Sequence, residues 1–480
     1  MSGSYDLAFI VNEELVQAFR ALWEPDWEQR GGDDGVASDC FAEVNPYHNP
    51  EMPAALVELA FHNNETDTGY LKHPKFRRDA ARAMYRAIVR YFAERDGVTA
   101  HYLPEPPTAL SITHDPNGRL RVSWQPGPSS FPHGDPAESY LVQTSHDGKA
   151  WDSGVSVSGT ATVLATAPGE TVYAQVVAVN EGGTSFPSEV VGARRSPSGT
   201  TPVLVVSAFD RLETSLLPWE DASPTGWVVR MDLPRVNPMD TAVAHGQAIS
   251  GIGWYFDTVS DEVFDGLDLA PYELIVWVAG EESTADETFS DAQQAKVRAF
   301  VEGGGKLFAS GAEILWDLDW RGDASDKAFA AEVLEATYDT DDAGTTMATA
   351  EGILEGVGSL DFGEEVGAPY PVEYPDTLTS SNPVIARYAT GGVAAVLGEQ
   401  VALFGYPFET IADPVVRTAV MERVLPALLP DYDPPDPDEE HDWGRHEIPG
   451  PGCGCSGAPA APRALLALLV LVLIRRRREA

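Results

Sequence analysis

The chain has 480 residues, an apolar fraction of 43% and a formal net charge of −42 at pH 7. This length predicts about three domains, and the composition supplies enough apolar side chains for packed cores. The acidic balance argues against nucleic-acid binding, which needs a basic face. Three cysteines, Cys40, Cys453 and Cys455, are too few for a disulfide framework.

Two amphipathic helices are predicted near the N-terminus. The first residues lack the basic start and sustained apolar stretch of a signal peptide. Val11 to Trp23 has helical spacing, with Leu15, Phe19 and Leu22 on one face. A second helix is predicted from His73 to about Glu94. Its apolar stripe comprises Phe76, Ala80, Ala83, Met84, Ala87, Ile88 and Tyr91.

A short apolar run, Ala54 to Phe61, lies between these helices and has one carboxylate, Glu58, in its middle. Because Pro53 and a polar Asn pair bound the run, it predicts a buried strand of an α/β sheet. An ionised carboxylate in such a strand is costly unless it is paired or binds a metal. Glu58 is therefore either a structural acid that meets backbone donors or solvent, or a catalytic acid.

The order Met52-Pro53-Ala-x-Leu-Val-Glu58-x-x-Phe61-x-x-Asn64-x-x-Asp67, followed by a long helix, resembles the C-terminal third of zinc-dependent N-acetylmuramoyl-L-alanine amidases. The resemblance covers roughly residues 4 to 95 and implies that residues 1–97 are the C-terminal part of an amidase-like α/β domain. It implies that Glu58 is the catalytic acid/base beside a zinc-bound water. Such a carboxylate takes the proton of the water and passes it to the leaving amine.

The three zinc ligands of that family precede the point where this sequence begins. His48, His62 and His73 lack metal-ligand spacing, and we expect surface or helix-start histidines. We therefore expect zinc only in a longer protein, no metal ligands in this chain, and an inactive amidase as given. Met1 is then expected to be internal to a longer coding sequence that supplies the ligands and an export signal.

Residues 104–195 follow the stiff segment Leu103-Pro-Glu-Pro-Pro107 and change to short alternating runs. Strands are predicted at 109–113, 120–124, 139–144, 160–165 and 172–179, which indicates a β-sandwich with Trp124 in its core. The order Tyr173-x-x-Val-x-Ala178-Val179-Asn180-x-x-Gly183-x-Ser185-x-Pro187-Ser188 is similar to fibronectin type III domains, and Tyr173 looks like the tyrosine of a sandwich corner. A spacer role is favoured over a binding role for this sandwich, because no exposed aromatic row is evident.

Residues 200–430 have the texture of a doubly wound α/β domain. Apolar strands are predicted at 203–207, 274–280, 306–311 and 401–405, with helices at 290–302 and 414–429. The turn Gly304-Gly305-x-Leu307-Phe308-x-Ser310-Gly311 resembles class I glutamine amidotransferase-like, flavodoxin-like domains.

No cysteine lies between 41 and 452, so the cysteine-based glutaminase chemistry of that family is excluded. A Ser310 nucleophile needs a histidine base, and His245 is the histidine of this domain. Carboxylates at carboxyl ends of strands lie where such sheets bind ligands. The acidic candidates are Glu281, Glu282, Glu313 and Glu409. A non-catalytic binding or packing domain is the favoured alternative.

The C-terminal part begins with a Pro- and Asp-rich stretch, 431–452, which predicts a disordered linker. Residues 453–480 hold Cys453-Gly-Cys455, an apolar run 464–474 and four arginines at 475–478. Eleven apolar residues form a helix of about 16 Å, shorter than the roughly 30 Å hydrocarbon core. The tripartite order resembles the MYXO-CTERM type of sorting signal. That resemblance implies export, processing near Cys453, membrane association through 464–474, and display on the cell surface or outer membrane.

Together these patterns predict a multidomain chain that combines a partial α/β amidase-like unit, an all-β sandwich, a flavodoxin-like domain, an acidic linker and a short apolar helix. The leading hypothesis is a surface peptidoglycan hydrolase of the amidase type, or its truncated remnant, with Glu58 as the catalytic residue. The alternative is a non-enzymatic surface protein that binds a glycan or protein through its sandwich and α/β domains. A third hypothesis is a hydrolase centred on Ser310 or the nearby acids.

Overall fold

A computed structural model describes residues 2–29, 36, 41–42, 44–45, 47 and 51–437, all within one compact unit, Met1–Glu440. The predictions for Cys40, His48 and residues 438–480 fall outside these described residues. Within the described ranges, the helices are all too short or too polar to cross a membrane.

Three helices build the N-terminal part: α1 (Ser2–Leu22), α2 (Glu65–Lys72) and α3 (Pro74–Asp96). The predicted second helix is confirmed as α3, and its stripe packs on α1, with the rings of Phe19 and Phe76 4.6 Å apart. The first helix begins well before the predicted Val11. Leu22, at its last residue, is exposed rather than part of the packed face.

The predicted buried strand at 54–61 is wrong. Residues 53–59 have neither helix nor strand structure, and no described segment pairs with them. Val57 and Leu59 pack against the α1–α3 core, while the alternating residues Leu56 and Glu58 are exposed. An apolar run becomes a buried strand only when neighbours supply backbone partners and cover its second face. The described residues supply neither.

Eight strands form the β-sandwich. They are β1 (Thr108–His114), β2 (Leu120–Gln125), β3 (Ser139–Ser145), β4 (Val155–Val157), β5 (Ala161–Val163), β6 (Thr171–Asn180), β7 (Gly183–Pro187) and β8 (Val191–Arg194). One sheet has the order β1-β2-β5; in the other, β6 pairs with β3, β7 and β8, and β4 pairs with β3. The five predicted strands are confirmed, and Trp124 lies in the core with its ring 5.2 Å from that of Tyr140.

Tyr173 is not a sandwich-corner tyrosine. In β6 the residues that face the sandwich core are Val172, Ala174, Val176 and Ala178. Tyr173 therefore points to the opposite face, because successive side chains of a strand alternate. Its hydroxyl donates to the carbonyl oxygen of Val243, 3.3 Å away in the neighbouring α/β domain. Tyr173 thus joins two domains instead of pinning a turn within one.

The α/β domain is built on parallel strands. Its strands are β9 (Val203–Ser207), β10 (Trp219–Asp221), β11 (Trp227–Val229), β12 (Asp257–Ser260), β13 (Leu274–Gly280), β14 (Lys306–Gly311), β15 (Thr337–Thr340), β16 (Met347–Ala350), β17 (Leu360–Asp361), β18 (Thr377–Thr379), β19 (Val384–Tyr388), β20 (Val393–Leu397) and β21 (Val401–Phe404). Five of them run parallel in the order β12-β9-β13-β14-β21. The predicted strands at 203–207, 274–280 and 306–311 match β9, β13 and β14.

Helices cover both faces of this sheet. They are α4 (Leu233–Val236), α5 (Thr241–Gly251), α6 (Asp261–Phe264), α7 (Asp291–Glu302), α8 (Ala324–Glu332) and α9 (Pro414–Leu428). Short 3₁₀ turns lie at Thr214–Leu216, Gly352–Leu354, Glu364–Val366 and Phe408–Thr410, and a π turn at Trp316–Arg321. α5 and α9 pack on one face, and α6, α7 and α8 on the other. The predicted helices at 290–302 and 414–429 match α7 and α9.

The sandwich and the α/β domain share one sheet. β12 pairs antiparallel with β1, so that twelve strands form a continuous sheet in the order β17-β16-β19-β20-β21-β14-β13-β9-β12-β1-β2-β5. His114 reinforces this junction, because its Nδ1 lies 2.7 Å from Oδ1 of the buried Asp257. Neither domain therefore moves freely against the other.

The start of the predicted disordered linker is packed. The ring of Tyr432 lies 4.7 Å from that of Trp254, and the hydroxyl of Tyr255 donates to the carbonyl oxygen of Pro435 at 2.7 Å. Composition alone misassigned residues 431–437, because one aromatic ring contact and one hydrogen bond from a tyrosine hydroxyl to the backbone hold this acidic segment on the α/β domain.

Candidate functional site

Glu58 lies on the exposed side of the extended segment, and no described group pairs with its carboxylate. His62 is exposed in the turn before α2. His73 is a helix-start histidine, as expected: its Nδ1 accepts from the backbone N–H of Lys75 at 3.2 Å. Burial lowers the pKa of His73.

In the part of the chain that the structure describes, the three-residue acid and histidine clusters with metal-ligand spacing do not include Glu58. The described residues around Glu58 therefore do not fit a zinc site.

An open groove of about 500 Å³ follows this segment. Its walls are formed by the turn before α2, by α2 itself and by one residue of the α/β domain: His62, Asn63, Asn64, Glu65, Thr68, Gly69, Lys72 and Thr214. Asn64 caps α2 by accepting from the backbone N–H of Asp67 at 3.2 Å. The Asn64 and Asp67 of the amidase-like motif thus have a local structural role here.

The four predicted strand-end carboxylates lie at the carboxyl edge of the parallel sheet, and all are buried: Glu281, Glu282, Glu313 and Glu409. Burial raises the pKa of each of them. The edge is closed by the segment around residues 363–376, whose Glu373 N–H donates to Glu281 at 3.3 Å. The sequence predicted that these acids lie at the ends of strands. It did not predict that the segment around residues 363–376 covers them.

Arg211, which the sequence analysis did not select, is the buried cation of this edge. Its Nη1 donates to the carbonyl oxygen of Glu281 at 2.8 Å and lies 3.2 Å from Oε2 of Glu313. Its Nε donates to Glu213 at 2.8 Å and its Nη2 to Ser215 at 2.9 Å. Arg211 lies four residues after the end of β9. A search of the strand ends for cations as well as acids would therefore have identified it from the sequence.

Ser310 and His245 do not form a catalytic pair. Ser310 lies within β14 and is buried, and its Oγ has no hydrogen-bond partner among the described residues. His245 instead makes a 3.2 Å hydrogen bond through Nδ1 to the carbonyl oxygen of Thr241. A nucleophilic serine needs a base within hydrogen-bond reach, so this geometry gives no support to the Ser310 hypothesis.

His245 lies instead beside Glu409, with Nε2 3.9 Å from Oε2. Burial lowers the pKa of His245 to about 3 and raises that of Glu409 to about 7. Tyr370 donates to the other oxygen of Glu409 at 2.7 Å. Both groups therefore prefer their uncharged forms inside the domain, which is the behaviour of a packed polar pair.

An aromatic platform, formed by Trp316, Trp320 and Tyr338, lies on the surface of the α/β domain. The indole rings of Trp316 and Trp320 are 6.2 Å apart and inclined by 24°, and Tyr338 lies 5.5 Å from Trp320 at 35°. Trp320 is 59% exposed, whereas the other two rings are partly buried and support it. The four-residue spacing of Trp316 and Trp320 is the sequence signal that could have predicted this platform, because residues four apart in a helical turn are neighbours on one face.

Three aspartates, Asp319, Asp339 and Asp341, lie close along the chain to the rings of this platform. Asp319 accepts from the backbone N–H of Tyr338 at 2.8 Å and holds the two segments together. Burial raises the pKa of Tyr338, and the negative charge of Asp341 adds to this effect. Asp339 and Asp341 are exposed. The platform thus combines flat apolar faces with acceptors for hydroxyl or amide hydrogens.

No protein-family model and no curated protein matches this sequence. Solved structures that match include a twitchin kinase region from C. elegans with 20% identity, a TM-score of 0.17 and coverage of 19% of this chain and 17% of that one. A β-galactosidase from Marinomonas ef1 has 12% identity and a TM-score of 0.28, and the match covers 48% of this chain and 29% of the β-galactosidase. A fibronectin type III-like protein from Clostridium thermocellum has 25% identity and a TM-score of 0.16, and the match covers 18% of this chain and 88% of that protein. The chain spans less than a third of the length of the first two structures.

Proposed function

We propose that this chain is a non-enzymatic glycan-binding protein of the cell surface, in which the α/β domain carries the binding site. The observation that supports this proposal is the aromatic platform of Trp316, Trp320 and Tyr338, with its exposed, supported central ring. Surface display rests on the resemblance of the C-terminal segment to a sorting signal. Peptidoglycan is the expected glycan, in keeping with the amidase-like motif.

The α/β domain is inferred to be flavodoxin-like. Numbered along the chain, its five parallel strands have the order 2-1-3-4-5, which is the order of that fold. The sandwich is inferred to be a fibronectin type III domain that acts as a rigid spacer, because it is fused to the α/β domain through the β1–β12 pairing. A rigid spacer presents the platform at a fixed orientation.

The chemistry of the platform suits a sugar ring. One face of a pyranose presents C–H groups, which pack on the negative face of an indole ring, while its hydroxyls need acceptors at the rim. Two partly buried rings hold Trp320 in place, so that binding costs little side-chain entropy. Exposed carboxylates at Asp339 and Asp341 supply acceptors.

The test is co-sedimentation of the purified full chain with purified sacculi, together with a glycan array. We expect Trp320→Ala to weaken binding about tenfold, since an aromatic contact contributes roughly 0.5–1.5 kcal/mol beyond its buried area. Trp227→Ala is the matched control: Trp227 is 68% exposed on the β10–β11 hairpin and, within the described ranges, has no ring neighbour. Equal binding by the two variants, or no glycan binding by the wild type, would overturn the proposal.

The second candidate is the amidase function, with zinc bound by ligands supplied from outside this chain. The observation behind it is the order of the amidase-like motif residues from Met52 to Asp67. Zinc content and release of stem peptides from sacculi separate the two candidates. We expect neither zinc at one equivalent nor release, and no effect of Glu58→Gln. Release that depends on Glu58 would establish the amidase instead.

A further inference from the structure

Carboxylates converge where three neighbouring parallel strands end. Asp210 follows β9, Asp261 and Glu262 follow β12, and Glu282 and Asp286 follow β13. These strands are adjacent in the order β12-β9-β13. Two groups of three result, each with carboxylate oxygens within 4.8 Å of one another: Asp210 with Asp261 and Glu262, and Asp210 with Glu282 and Asp286. Asp210 belongs to both groups.

The environment of Glu282 indicates a bound cation independently of the close spacing of these carboxylates. It is only 2% exposed, and its Oε1 accepts from the backbone N–H groups of Asp210 and Arg211 at 2.6 and 2.5 Å. These two bonds fix the carboxylate and hold the loop that carries Asp210 against it. The second oxygen, Oε2, is buried and has no hydrogen-bond partner in the described part of the chain. A buried carboxylate oxygen without a donor is costly unless a cation binds it.

Protein cations do not neutralise this set. In the described ranges, the only ion pair of these five acids joins Asp286 to Nζ of Lys75, 3.7 Å away at the start of α3. Both partners are substantially exposed, so this pair contributes little. Five carboxylates therefore share one largely solvated ammonium group, and their mutual repulsion favours an ion of higher charge.

We propose that Asp210, Glu282 and Asp286 form a binding site for a hard divalent cation, calcium or magnesium. Carboxylate oxygens are the ligands that both ions prefer. The buried Glu282 supplies a fixed ligand, and the exposed Asp210 and Asp286 leave open positions for water or a ligand oxygen. The site lies between β9 and β13, where the strand order reverses and where doubly wound sheets bind ligands.

The experiment is isothermal titration of the chelator-treated full chain with calcium chloride and, separately, with magnesium chloride, in 0.15 M salt. At this ionic strength, diffuse attraction between the acidic surface and a cation is largely screened. We expect saturable binding near one equivalent, and the two titrations show which ion is preferred. Glu282→Gln and Asp286→Asn should each weaken binding by about tenfold or more, because affinity follows the number of charged ligands. Asp286 is exposed, so its variant folds even if Glu282→Gln does not.

Glu287→Gln is the matched control, since it removes the same charge from an exposed neighbour outside both groups. Lys75→Met should leave binding intact or tighten it, because it removes the competing ammonium. Absence of saturable binding by the wild type would refute the site. Equal weakening in Glu287→Gln and Asp286→Asn would show diffuse attraction and refute it as well. Trp320→Ala should retain cation binding, so this test is separate from that of glycan binding.

Discussion

Replacing Arg211 with methionine should destabilise the α/β domain more than any substitution of an exposed arginine. Arg211 is 6% exposed, and its guanidinium bonds to Glu213, Ser215, Glu313 and the carbonyl oxygen of Glu281. Methionine fills most of the volume but leaves the buried Glu313 carboxylate without its cationic partner. Breaking a buried pair in this way costs about 3–5 kcal/mol. At roughly 2–4 °C per kcal/mol, the melting temperature should fall by on the order of 10 °C.

Urea denaturation followed by far-UV circular dichroism measures this loss. Arg298→Met is the control, since Arg298 pairs with the largely exposed Glu332 at 2.7 Å and should cost less than about 1 kcal/mol. Adding Glu313→Gln to Arg211→Met removes the stranded charge and should restore about 2 kcal/mol. A loss below about 1 kcal/mol for Arg211→Met, or no recovery in the double variant, would show that the pair is not the organising contact of this edge.

Two further predictions concern the same domain. Burial raises the pKa of Glu409 from 4.5 to about 7, so the folded state takes up a proton before the unfolded chain does, and Glu409 adds stability as the pH falls from 7 to 4.5. The free energy of unfolding of Glu409→Gln should therefore fall by about 3 kcal/mol relative to wild type over this range, because the variant lacks the proton uptake of Glu409 that stabilises the wild type; a constant difference in urea midpoints would contradict this. Gly246→Ala should cost about 1–3 kcal/mol, because a Cβ there meets the Phe256 ring at 2.5 Å. Gly69→Ala, in α2 with open space around it, should be neutral or stabilising by thermal melt, and equal effects of the two would rule out the steric explanation.

The exposure of Glu58 limits what the amidase-like motif explains. The motif residues are present in order, yet the segment has no sheet partner in the described residues and Glu58 faces solvent. Asn64 and Asp67 are used in the helix cap and turn, where Asp67 accepts from the backbone N–H of Phe61 at 2.8 Å. Two residues of the motif thus have local structural roles here, and these roles do not depend on any catalytic chemistry.

The sequence by itself determined the elements that are defined by complete burial or by a local capping signal. β9, β13 and β14 are apolar on both faces, and α7 begins at the Ser290–Gln293 capping box, so local composition defines each of them. Only the tertiary structure decided the pairing of β12 with β1, the outward direction of Tyr173 and the exposure of Glu58. Each of these depends on which segment lies alongside in space, and strand pairing joins residues far apart in sequence. The same holds for the aromatic platform and the acids around Asp210, which are built from separate loops.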